Sequence, residues 1–165
     1  MAELKWFDEY AGQSIDQLLA LEGQYRTDSI VVAIQRAIGH KAAQEGAKSL
    51  TPEEQVVLAV DALAREVHYG GFAKYFANAP TYAPIVVASL TQIQCPKTAE
   101  VCQEAIDALD LPVVNVAEIH LAVTNESARH TDILQQCDRA YHETGEDIEG
   151  SLFAYIKKNR DNFKF

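Results

Sequence analysis

The chain has 165 residues, of which 48% are apolar and 23% are charged, a composition typical of a globular protein and not of a disordered one. Its formal net charge of −10 disfavours nucleic acid and membrane surfaces and favours basic partners. No apolar run approaches the roughly 18 residues of a membrane span, and no signal-peptide pattern begins the sequence. We therefore expect a soluble protein with a single domain over residues 1–165.

The three cysteines indicate the cellular setting. Cys95, Cys102 and Cys137 are an odd number and include no CxxC pair, so we expect reduced thiols in the core. Such thiols are typical of a reducing compartment, and the sequence therefore predicts a bacterial cytoplasmic protein.

Helix-start signals recur through the first half of the chain. Ser14 and Gln17 form a predicted capping box, and a second helix is expected from Thr27 onward. Thr51, Pro52 and Glu54 are the strongest signal, with threonine at the N-cap, proline at the first helical position and glutamate at the third. This helix is predicted to stop at two glycines, residues 70–71, where a left-handed cap requires a residue without a Cβ atom.

The second half predicts further helices. Aromatic residues at 72, 75 and 76 indicate a short helix that ends near Asn78, and residues 113–122 are ambiguous because their β-branched side chains also suit a short strand. We favour a helix there because its neighbours are helical. Other helices are expected over residues 82–94, 97–109, 127–143 and 147–159. The expected fold class is all-α, with seven or eight helices and little or no sheet.

The negative charge is concentrated in one segment. Residues 100–149 contain twelve carboxylates and two basic side chains, whereas the acids and bases in the rest of the chain balance. At 100° per residue, Glu100, Glu104 and Asp107 fall on one face of the predicted 97–109 helix, opposite its apolar residues. Other acids of the segment are expected to extend this row if the fold brings them to one side: Asp110, Glu118, Asp132, Asp138, Glu143, Glu146, Asp147 and Glu149. A solvated face that only keeps the protein soluble is the alternative interpretation of the pattern.

The sequence contains no convincing catalytic or metal site. The histidines are scattered, no nucleophile motif is present, and the glycine pair lacks the lysine of a phosphate-binding loop. We interpret residues 70–78 as structural: the glycines stop a helix, the aromatic residues fill the core, and Asn78 caps a helix. A ligand pocket is the alternative. Glu126 and His130 are interpreted as a surface ion pair, with a metal site as the alternative. No cofactor is expected.

Three parts of the sequence resemble a bacterial family of small helical proteins named after a dimeric DNA-mimic protein. They are residues 10–14, residues 66–78 with their Gly-Gly-Phe block, and residues 152–156. His68 and Tyr69 depart from the family pattern, which has an asparagine-rich pair there. The resemblance implies an all-helical fold, a possible homodimer, and an acidic surface that imitates duplex DNA and occupies a helix-turn-helix transcription factor.

We therefore expect a non-enzymatic binding protein that sequesters a basic DNA-binding protein such as a helix-turn-helix repressor, and that binds neither nucleic acid nor membranes. The first alternative is an immunity protein, or another interaction protein, that neutralises a basic partner. The second is a small hydrolase or metal-dependent enzyme built around His68 and the glycine pair.

Overall fold

A computed structural model describes residues 2–125 and 127–165, with the side chains of residues 128 and 129 outside the described part. The described residues form eight α-helices and no strand, which confirms the all-α prediction. Tyr25 makes two isolated β-bridges, with Lys5 and Glu22. The helices α1 to α8 are, in order, Ile15–Leu19, Thr27–Glu45, Pro52–Asn78, Ala83–Gln92, Pro96–Asp107, Val116–Thr124, Ala128–Glu143 and Ile148–Lys158.

The chain divides into two compact units. The first unit consists of residues up to Leu58 together with residues 147–165, and the second consists of residues 59–146. The single domain that we expect over residues 1–165 is not tested by this division and stays a prediction. Each unit has its own buried apolar residues, so each is described by itself.

The first unit packs α1, α2, α8 and the first turns of α3 around isoleucine and leucine side chains. The predicted capping box is present, because the Ser14 hydroxyl accepts the Gln17 amide and the Gln17 side chain accepts the Ser14 amide. Its buried apolar side chains include Leu18, Ile30, Ile34, Ile38 and Ile156.

A buried ion pair joins α2 to the start of α3 in the first unit. Nζ of Lys41 donates to both carboxylate oxygens of Glu54, at 3.2 and 2.9 Å, and the two side chains are 8% and 0% exposed. The same carboxylate accepts the Thr51 amide at 3.0 Å and the Lys164 amide at 2.6 Å. The Thr51 hydroxyl accepts the Glu54 amide at 3.2 Å, so Glu54 forms a capping box with Thr51 at the predicted helix start. It also holds the end of the chain through the Lys164 amide.

The second unit contains the glycine pair, and α3 breaks there as predicted. Gly71 has a φ of 74° and a ψ of −172°, which interrupts the helical geometry. A Cβ atom at Gly71 would come within 2.4 Å of the Asp138 carboxylate. That carboxylate accepts the Phe72 amide at 2.7 Å. Gly71 thus allows the Asp138 carboxylate to approach the backbone closely. That carboxylate in turn accepts the Phe72 amide, which the break leaves without a partner in the helix.

Helices α5 and α7 pack against each other in antiparallel directions. Glu146, just after α7, accepts hydrogen bonds at the start of α5, whereas His130 near the start of α7 lies beside Asp110, just after α5. Buried side chains between and around them include Cys102, Ala105, Leu134, Cys137 and Tyr141. All three cysteines are buried, which confirms their predicted place in the core.

The ambiguous segment 113–122 contains helix α6. The Asn115 side chain caps it by accepting the Glu118 amide at 2.8 Å. The cap favours the start of a helix at this point, which the β-branched residues of the segment do not predict by themselves. None of the described helices is both long and apolar enough to cross a membrane.

Candidate functional site: the acidic surface of α5

The three acids predicted on one face of α5 lie on its exposed side. Glu100, Glu104 and Asp107 are exposed, whereas Val101 and Ala105 on the opposite side are buried. We call these three residues the α5 acidic row. Among the described side chains, no lysine or arginine forms an ion pair with any of them. Their charges therefore remain available to a partner.

Helix α7 presents two more exposed acids, Asp132 and Glu143, and neither forms an ion pair with a described side chain. Glu104 lies close enough to α7 to affect the pKa of Cys137 on that helix. Burial raises the pKa of the Cys137 thiol, and the negative charges of Glu104 and Asp138 raise it further. The pair α5 and α7 thus presents five unpaired carboxylates to solvent.

Two of the predicted surface acids have structural roles instead. Asp138 is half-buried and accepts the Phe72 amide at the break in α3, across a separation of 66 residues. Glu146 accepts the amides of Lys97 and Thr98 at 2.9 Å each and the Thr98 hydroxyl at 2.7 Å. It therefore caps the start of α5, where the positive end of the helix dipole favours a carboxylate.

Replacing Glu146 by glutamine is expected to destabilise the protein most at neutral pH. Burial alone raises the pKa of Glu146, but the hydrogen bonds from Thr98 and Lys97 lower it, and the net direction is downward. A carboxyl group whose pKa is lower in the folded state contributes stability above its ordinary pKa, and this stability is lost as the pH falls through the folded value. Urea unfolding of the wild type and of Glu146→Gln should therefore differ most at neutral pH and converge in acid.

The matched control for that experiment is Glu143→Gln, because Glu143 is exposed and lies only three residues away. It should change the unfolding free energy little at any pH. A difference between wild type and Glu146→Gln that stays constant with pH would contradict the cap.

The remaining predicted acids have three different environments. Oδ2 of Asp110 lies 3.6 Å from Nε2 of His130, and Glu118 is half-buried in the first turn of α6. Asp147 caps α8 by accepting the Gly150 amide at 3.0 Å, and Glu149 follows in the first turn of that helix. Asp147 and Glu149 belong to the first unit, whereas the other nine predicted acids belong to the second.

Charge pairing differs between the acidic segment and the rest of the chain. Within residues 100–149, the ion pair among described side chains joins Asp110 to a histidine. The other ion pairs all use acids outside that segment: Arg26–Asp28, Lys41–Glu54, Arg65–Asp61, Arg65–Glu66, Lys157–Glu22 and Arg160–Asp16. Five exposed acids of α5 and α7 therefore have no ion-pair partner among the described side chains.

The other predicted sites resolve mostly into structural features. His68 is exposed and packs edge-on against the neighbouring Tyr69. The Asn78 amide, which we expected to cap a helix, instead donates to Glu66 at 2.9 Å. In the described part of the chain, no three histidine, cysteine or acidic side chains are grouped so as to hold a metal. Glu126 lies outside the described residues, and the partner of His130 there is Asp110.

The fold and its surface define a small all-helical protein with an unpaired acidic face. A family model described as DMP19-like protein matches residues 48–159, about two thirds of the chain. The chain therefore belongs to the DMP19-like family, which is a family of DNA-mimic proteins. The matched range contains the Gly-Gly-Phe block and residues 152–156, and it begins after residues 10–14. No curated protein and no solved structure matches the chain.

Proposed function

We propose that this protein is a non-enzymatic DNA mimic that uses the α5 acidic row to sequester a basic DNA-binding protein, such as a helix-turn-helix transcription factor. The observation that carries the proposal is the exposure of Glu100, Glu104 and Asp107 without an ion-pair partner among described side chains. Membership of a DNA-mimic family supports it. The protein would act in the cytoplasm, where such a transcription factor is found.

The spacing of the α5 acidic row suits this role. At 1.5 Å per residue the row extends over about 10 Å, whereas phosphates on one DNA strand follow one another at about 3.4 Å along the axis. The row therefore has the length of roughly four phosphates and offers three full charges. Arginine and lysine side chains that bind DNA phosphates also bind carboxylates, and arginine does so with paired hydrogen bonds.

Asp132 and Glu143 would widen the negative surface beside the row. Dimeric helix-turn-helix proteins place two recognition helices about one turn of DNA apart. Two copies of this chain related by a two-fold axis would offer one acidic row to each half of such a dimer. The proposal therefore includes a homodimer as the binding form.

The test is a pull-down with tagged protein from lysate of the native cells, at low and at moderate salt. We expect recovery of a basic DNA-binding protein at low salt and its loss at moderate salt, because binding between exposed charges is screened. The variant Glu100→Gln/Glu104→Gln/Asp107→Asn should lose the partner already at low salt. Competition by duplex DNA carrying the partner's binding site should release it.

The matched control replaces the same number of exposed acids in the first unit, Glu3→Gln/Asp8→Asn/Glu9→Gln. It removes the same number of negative charges and should keep the partner. Loss of the partner in both triple variants would mean that total charge and not the α5 acidic row is recognised. A basic partner that DNA does not displace, such as a toxin enzyme, would contradict mimicry and favour the role of an immunity protein.

A further inference from the structure

Helix α6 exposes an apolar face to which no role has been assigned so far. Val116 and Leu121 of this helix are 38% and 56% exposed, and Val113, just before it, is 54% exposed. At 100° per residue, the exposed residues of α6 fall within about 140° of one another. They are Val116, Ala117, His120, Leu121 and Thr124, and together with Val113 we call them the α6 face. Ile119, on the other side of the helix, is fully buried and holds α6 on the second unit.

The charge of the α6 face differs from that of its neighbours. It contains no acidic, lysine or arginine side chain. Glu118, the acid of α6, is half-buried and lies about 60° beyond the edge of the face. Helices α5 and α7, in contrast, present five exposed carboxylates without an ion-pair partner among described side chains. Covering the α6 face therefore removes apolar surface from water without burying a charge.

The net charge of the chain indicates what covers this face. A basic partner gains most at the carboxylates of α5 and α7, and the α6 face offers it no opposite charge. A second copy has the same net charge of −10, so two copies repel each other wherever their acids meet. A two-fold interface brings the same patch of both copies together. Two α6 faces would then meet without opposing any carboxylate.

We propose that a second copy of this chain docks on the α6 face and forms a two-fold dimer through it. The proposal rests on the homodimer of the proposed function and names the surface that joins its two copies. Burial of Val116 and Leu121 from both copies supplies the favourable free energy. Helix α6 has nine residues, so the face is smaller than the roughly 800 Å² that each partner contributes to a standard interface. The dimer is therefore weak and depends on protein concentration.

Salt separates this contact from the proposed binding of a DNA-binding protein. Screening weakens the attraction between the α5 acidic row and a basic partner. It also weakens the repulsion between two copies of like charge, so the dimer should become tighter as salt rises. The two contacts are thus expected to have opposite salt dependences.

The experiment is sedimentation equilibrium of the full chain, over the range from about 1 µM to about 1 mM that a small interface requires. We expect the dimer fraction to rise with protein concentration and with sodium chloride. Leu121→Glu places a carboxylate on both sides of the interface and should weaken association by about ten-fold or more. The control Leu4→Glu makes the same change at an exposed leucine of the first unit and should leave association unchanged.

Chemical cross-linking locates the contact independently. His120 lies in the middle of α6, so His120→Cys places one thiol of each copy near the two-fold axis. A short bis-maleimide should join two copies of this variant, whereas Leu4→Cys should give no joined copies. The three native cysteines are buried, so the wild type should not be cross-linked.

Two results would overturn the proposal. One is a chain that stays monomeric at the highest concentration and salt, and the other is a dimer that Leu121→Glu leaves unchanged. A monomer that still binds a DNA-binding protein through the α5 acidic row would contradict the α6 face alone. A dimer through α6 that recovers no DNA-binding protein would contradict mimicry alone.

Discussion

Replacing Glu54 by glutamine is expected to lower the unfolding free energy by about 3–5 kcal/mol, the range seen when one member of a buried ion pair is removed. The carboxylate is fully buried and accepts hydrogen bonds from Lys41, Thr51 and Lys164. Glutamine retains one acceptor oxygen, but it leaves the Lys41 ammonium buried without an opposite charge. That uncompensated charge is the main source of the loss.

Urea unfolding followed by circular dichroism measures this effect. The neighbouring variant Glu53→Gln is the control, because Glu53 is only half-buried and, among described partners, accepts a side-chain hydrogen bond from Asn162 alone, at 3.2 Å. It should change stability by no more than about 0.5 kcal/mol. The double variant Lys41→Met/Glu54→Gln removes both charges and should recover a large part of the loss. A double variant as unstable as Glu54→Gln alone would show that the charge of Lys41 is not the cause.

Replacing Gly71 by alanine is expected to cost about 3 kcal/mol. An alanine at a φ of 74° is strained by about 1–2 kcal/mol. Its Cβ atom would also lie 2.4 Å from Oδ2 of Asp138, so the carboxylate must withdraw from the Phe72 amide. Loss of a hydrogen bond to a charged group accounts for about 1.5–3 kcal/mol.

The same substitution at Gly39 gives a control of opposite sign. Gly39 lies inside α2, and a Cβ atom there meets nothing within 4 Å, so Gly39→Ala should stabilise the protein by about 0.5–1 kcal/mol. Thermal and urea unfolding of both variants test the pair. The effect of Gly71→Ala should also be smaller when Asp138 is already alanine, because the two residues share one contact. Equal effects in both backgrounds would contradict the role assigned to Asp138.

The helices and their caps could be predicted because their signals are local. Ser14 acts on Gln17, and Thr51 acts on Glu54, three residues along the chain in each case. The exposed side of α5 follows equally from the helical period, since Glu100, Glu104 and Asp107 recur at intervals of three or four residues. Interactions of this kind are fixed by the geometry of a single helix turn.

The long-range roles of the acids could not be predicted in the same way. The sequence pattern predicts Asp138 and Glu146 as surface acids, yet they satisfy backbone amides that lie 66 and 48 residues away. Nothing in their immediate neighbours distinguishes them from Asp132 or Glu143, which remain exposed. The pairing of Lys41 with Glu54 likewise depends on the packing of α2 against the start of α3.

The direction of α5 has a consequence for its own stability. Its start is capped by Glu146, but Asp107 forms its last turn and Asp110 follows, where the helix dipole is negative and acids are unfavourable. Glu100 and Glu104 also repel each other as like charges four residues apart, by a few tenths of a kcal/mol. The charges of α5 thus destabilise the isolated helix, and no described lysine or arginine forms an ion pair that offsets them. A cation that binds along α5 in the folded chain therefore raises the free energy of unfolding. Binding and folding are thermodynamically linked at this helix.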